Sequence, residues 1–153
     1  MEHESCNGQC SHECAEQQVD LGKLFKEQYT HLKRYAALKD AVDKAGKDML
    51  VDALVFRFTR SVDVLLALVY KAMQDKGLEC ESEEQFMVAL MASGLFDEKE
   101  VEALLEVMQV SEYLDDAGDE DRDQVYEVIA EIDLYVKALE VFAAKVLTQS
   151  ACC

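Results

Sequence analysis

Three cysteines at equal steps open the chain, Cys6, Cys10 and Cys14 in HESCNGQCSHEC, with His3 and His12 beside them. If this stretch is helical, the sulfurs share one face and are candidate ligands for a soft metal, zinc or an iron–sulfur cluster. The CxxxCxxxC spacing is neither the CxxC knuckle of zinc sites nor the unequal spacing of radical-enzyme clusters, so a thiol-rich tail without metal is the plainer reading. Cys152 and Cys153 could complete such a site if the termini meet, because adjacent cysteines make a poor disulfide with one another. A second group of chemically active side chains, Arg57, Arg60 and Asp63, interrupts the otherwise oily stretch DALVFRFTRSVDVLLALVYKAMQDKGL, from Asp52 to Leu78. Charge in such a stretch needs partners. The two arginines are three residues apart, hence neighbours on one helix flank, and Asp63 is expected to pair with Arg60 at the i, i+3 distance.

The elements that position these groups follow from hydrophobic periodicity. Leu54, Phe58, Val62, Leu65, Val69 and Met73 form one stripe of an amphipathic helix over about 49–76. It stops at Gly77, a residue that tolerates the left-handed conformation just past a helix end, and Leu78 can fold back onto the last turn. Upstream, Leu21, Phe25, Tyr29, Leu32 and Ala36 share a face over about 18–44, with Gly46 interrupting before the next helix. Downstream, Ser82 with Gln85 has the form of a capping box, opening a short helix through Phe86, Met87, Leu90 and Met91 that Gly94 ends. Asp97 with Glu100 repeats the start pattern before the stripe Val101, Leu104, Leu105 and Met108. The acidic segment DDAGDEDRD, 115–123, does not space its acids as a calcium loop does and reads as a turn whose acids favour the next helix N-terminus. Val125, Ile129, Ile132, Val136, Leu139, Phe142 and Val146 then hold one face of a long last helix. The methionines at 73, 87, 91 and 108 fall at core positions, and His31 at the surface or half-buried.

Composition supports the same picture. With 153 residues and 50% hydrophobic content, the chain is sized for one core. No Pro, no Trp and only 6 Gly favour helix throughout. The expected plan is a Cys-rich leader over 1–17, a helical domain over 18–148 and a tail over 149–153. The expected fold is all-α: an antiparallel, up-and-down four-helix bundle with an additional short helix. A net charge of −17 repels a phosphate backbone, which argues against general nucleic-acid binding. The N-terminus is polar and acidic rather than basic and apolar, and the longest apolar run, Val64 to Tyr70, is too short to span a bilayer. A soluble cytoplasmic protein with reduced thiols is the expectation.

The order of motifs over about residues 20–148 resembles the nucleotidyltransferase substrate-binding protein family of the helical HEPN superfamily. The resemblance rests on DALVFRFTRSVDVLLALVYKAMQDKGL, with its aromatic after arginine, long apolar helix, lysines and closing Gly-aliphatic pair, and on SEEQFMVALMASGLFDEKEVEALLEVM, with its short helix, Gly-aliphatic turn and next helix start. It implies a binding subunit for a small nucleotidyltransferase, dimeric and toxin–antitoxin-like. Nuclease branches of the superfamily carry an Arg followed four to six residues later by a His, near the end of the penultimate long helix. In VMQVSEYLDD, Val107 and Glu112 stand at those positions. A valine cannot stabilise the transition state of phosphoryl transfer, and a glutamate adds negative charge where an oxyanion develops, so the resemblance implies no RNA cleavage. Tyr113 is one residue off the tyrosine that receives a nucleotide in some family toxins. By the same resemblance, Arg57, Arg60, Ser111, Glu112 and Tyr113 surround the partner- or ligand-binding cleft. An ion-pair network in which Arg57 or Arg60 satisfies Glu112 would account for them as well. The alternatives from other classes are a HEPN-type ribonuclease toxin or a degenerate relative of one, and a metal-binding or redox protein using the terminal cysteines.

Overall fold

The stripe Leu54, Phe58, Val62, Leu65, Val69 and Met73 is buried along its whole length, no member more than 2% exposed. It lies on α2 (Lys44–Asp75), against which the other long helices pack. In the computed structural model, which describes residues 10–41 and 43–150, these helices form an all-α bundle. Around α2 stand α1 (Cys10–Leu38), α3 (Glu83–Ser93), α4 (Glu98–Asp116), α5 (Arg122–Ala130) and α6 (Ile132–Ser150), with a 3₁₀ turn at Asp119–Asp121 leading into α5. No strand occurs among the described residues, and none of their helices is long and apolar enough to cross a membrane.

Each element closes by local chemistry. The Asp43 carboxylate caps α2 by accepting from the Gly46 N–H at 2.9 Å, so Gly46 belongs to the first turn of α2 and does not separate it from α1. At the other end Gly77 has φ +75°. Its N–H bonds the Gln74 carbonyl at 2.9 Å, and the Leu78 N–H bonds that of Met73 at 3.0 Å, the paired bonds of a Schellman end. Ser82 caps α3 through the Gln85 N–H at 3.2 Å, while the Gln85 side chain accepts from the Glu81 N–H at 2.8 Å, one residue earlier than a capping box requires. Asp97 caps α4 through the Glu100 N–H at 2.9 Å, and the Glu100 carboxylate turns to Lys145 of α6 instead of back to Asp97. The bond from the Glu100 N–H, above all, holds the Asp97 carboxyl below its ordinary range.

The last helix departs from expectation. Val125, Ile129, Ile132, Val136, Leu139, Phe142 and Val146 are all buried, but they lie on two helices that meet at Glu131. The sequence there offers no Pro or Gly to mark a break. The Leu134 N–H bonds the Glu131 carbonyl at 3.1 Å, one residue short of the Ala130 carbonyl an unbroken helix would use. Lys39, just past the end of α1, donates to that Ala130 carbonyl at 3.2 Å and pairs with Asp133. A distant ammonium thus satisfies the acceptor that the break releases. Met91 also departs from its expected core position. It is 47% exposed, whereas Phe86 and Leu90, which share the opposite side of α3, are buried.

Candidate functional site

Along one side of α2 run two adjoining clefts. The first, about 270 Å³, lies between α2 and α4. Its apolar surface comes from Val62, Leu66, Leu105 and Met108, and its carboxylates are Asp63, Glu83, Glu112 and Asp115. The second, about 320 Å³, continues past the end of α4 toward the 3₁₀ turn and α5, with Phe56, Leu114, Ala117 and Arg122 among its lining residues. Thr59 and Asp115 belong to both clefts and join them into one trough. Phe56 stands at its rim, 59% exposed.

The sequence-derived candidates divide over this geometry. Ser111 and Glu112 line the first cleft. Tyr113, on the next flank of α4, donates from its phenol to the Gln124 side chain of α5 at 3.1 Å. Arg57 reaches the other way and donates to the Gln28 side chain of α1 at 2.8 Å, half-buried and stacked near Phe56. Arg60 is exposed and makes no ion pair or hydrogen bond with the described residues. The expected Arg60–Asp63 pair is absent, as is any pair of either arginine with Glu112. An exposed i, i+3 pair is worth only a few tenths of a kcal/mol, too little to hold two mobile side chains together, and Asp63 faces the cleft. Val107, at the expected arginine position, is a core residue of α4 and 1% exposed.

Cys6, Cys152 and Cys153 lie outside the described residues, and the backbone of Cys10 and Cys14 begins α1, within the segment expected to be a leader. Cys80 is a half-buried free thiol, and His31 is exposed and stacks on Tyr35 with centroids 6.3 Å apart. Among the described residues no three His, Cys, Asp or Glu side chains converge to hold a metal ion.

One cluster escaped sequence reasoning. Arg122 bonds Asp52 at 2.7 Å and the backbone carbonyl of Asp48 at 3.0 Å, with longer contacts of 3.3 Å to the Asp48 carboxylate. Tyr126 donates to the same carboxylate, and Lys47 lies over the Tyr126 ring, 4.8 Å from its centroid. The phenol of Tyr126, then Arg122, holds the Asp48 carboxyl below its usual range, and the bond to Asp48 pushes the Tyr126 phenol up. Arg122 reads in sequence as one cation in an acidic turn. Its carboxylate partners are at least 70 residues away, beyond any local pattern. The cluster pins α5 to the start of α2 and sets one wall of the second cleft.

Compared with family models, curated proteins and solved structures, the chain matches none of them.

Proposed function

We propose that this chain is a non-catalytic interaction module, and that the assembly it serves is of the kind its sequence pattern resembles, with a small nucleotidyltransferase as partner. The observation that supports this reading is the joined trough along α2, lined by carboxylates in both clefts and rimmed by exposed Phe56. An aromatic side chain left in water beside a preformed cleft suits a binding surface, because its burial by a partner is worth more than that of a small residue. A dimeric assembly belongs to the same proposal. Leu134 and Val141, seven residues apart on α6 and 64% and 51% exposed, supply an apolar strip for it.

Affinity purification of the tagged chain from its native cell tests the reading. A nucleotidyltransferase is expected among the proteins retained, lost with Phe56→Asp and kept with Val88→Asp, a substitution at another exposed apolar residue, on α3. Retention that ignores Phe56→Asp would refute the trough as the binding surface. RNA hydrolysis by the purified chain that disappears with Glu112→Ala would replace this reading with a nuclease.

A further inference from the structure

We propose that the cleft between α2 and α4 is a receptor for a cationic side chain, an arginine presented by the partner's segment; this rests on the binding-module reading. Asp63, Glu83, Glu112 and Asp115 surround the cleft, and no cation lines it. None of these carboxylates is in an ion pair with a described residue. Gathering like charges without a counter-charge is unfavourable, and a bound cation relieves it.

Ser111 makes an independent case. It is 7% exposed, yet its hydroxyl bonds no described group. The other buried serines behave differently: Ser61 donates to the Arg57 carbonyl at 2.7 Å and Ser93 to that of Leu90 at 2.6 Å. No side-chain oxygen sealed from solvent lacks a partner among the described residues, so the unbonded Ser111 hydroxyl is still open to solvent at the cleft that the residue lines, where an entering group can bond it.

The chemistry of the walls selects the occupant. The carboxylates do not converge on one metal ion, so a point-like divalent cation would not satisfy them together. Leu66, Leu105 and Met108 offer an apolar path for an aliphatic stem, while a planar head with several N–H donors can reach a carboxylate and the Ser111 hydroxyl at once. Guanidinium meets both requirements. Ammonium, a compact and strongly hydrated charge, meets them less well. At about 270 Å³ the cleft takes a side chain, not a folded domain.

The test is an NMR titration of the full chain at physiological salt with Nα-acetylarginine amide, set beside Nα-acetyllysine amide. The expected result is saturable shifts confined to Leu66, Leu105, Met108 and Ser111, with a Kd on the order of 1 mM, the affinity open to so small a ligand. The lysine compound should bind at least several-fold more weakly. Asp63→Asn with Glu112→Gln should weaken the arginine compound about tenfold. Ser111→Ala should weaken arginine more than lysine, a selectivity that a purely structural serine would not alter; far-UV circular dichroism confirms that the variants fold. Shifts spread over the whole acidic surface, or equal affinity for the two compounds in every variant, would overturn the proposal. That failure would leave the Phe56→Asp capture result standing, and failure of the capture result would leave a local arginine site standing.

Discussion

Replacing Lys39 with methionine keeps the side-chain stem and removes the ammonium that serves the junction of α5 and α6. Two interactions go with it: the bond to the Ala130 carbonyl at 3.2 Å, and the pair with Asp133. They are unequal. The Asp133 side chain is 61% exposed, so its pair is worth about 0–1 kcal/mol, at the low end because water screens it. A charged donor on a backbone carbonyl is worth roughly 1.5–3 kcal/mol when buried, but Ala130 is exposed and water can replace the lysine in part. The total expected loss is about 1–2 kcal/mol. With an unfolding entropy near 0.3 kcal/mol/K for a chain of this length, Tm should fall by about 3–6 °C. Urea denaturation followed by far-UV circular dichroism should show a lower midpoint at unchanged slope. Native-state hydrogen exchange should quicken at the last turn of α5 and the first of α6. Asp133→Asn, which removes the ion pair alone, should change stability by less than about 0.5 kcal/mol. A Lys39→Met protein as stable as the parent, or an Asp133→Asn protein equally destabilised, would refute the assignment of the junction to the carbonyl bond.

Two phenylalanines two residues apart should behave oppositely. Phe58 is fully buried beside Tyr135, their ring centroids 6.1 Å apart, and Phe58→Ala should cost about 3–5 kcal/mol; Phe56, 59% exposed, should cost within about 0.5 kcal/mol as alanine. Urea midpoints decide this, and equal losses would mean that the face of α2 turned to the core is misassigned. Burial, and then its hydrogen bond to Glu140 at 2.9 Å, pushes the Tyr29 phenol from 10.0 up to about 12. Because the folded value is the higher one, its contribution is fully present below pH 10 and is lost as pH rises toward about 12. Ultraviolet titration of the parent minus Tyr29→Phe should show this late phenolate, moved to lower pH by Glu140→Gln, and a tyrosine titrating at its ordinary value would contradict the contact.

Much of the fold is legible from local pattern, and the reason is local too. The stripe on α2 is buried where periodicity places it because a helix repeats on itself whatever surrounds it. Ser82, Asp97 and Gly77 mark real helix ends because a cap acts within a few residues of chain. Periodicity puts Met91 in the core although it is exposed, because α3 is too short, and too apolar around its circumference, for the pattern to choose its inner side. The candidate site was legible only in part. Ser111 and Glu112 reach the cleft, but Arg57 turns to Gln28, Arg60 to solvent and Tyr113 to Gln124.

From the residues alone came an all-helical chain, the inner face of each long helix and most of the points where helices start and stop, all set by interactions spanning a turn or two. Tertiary structure alone decided the break at Glu131, satisfied by an ammonium 91 residues from the carbonyl it serves, and the anchoring of α5 by Arg122. It also decided that the acidic cleft forms without the arginines. Spacing along a helix places side chains on a common face, but what stands opposite that face depends on packing between segments far apart in the chain.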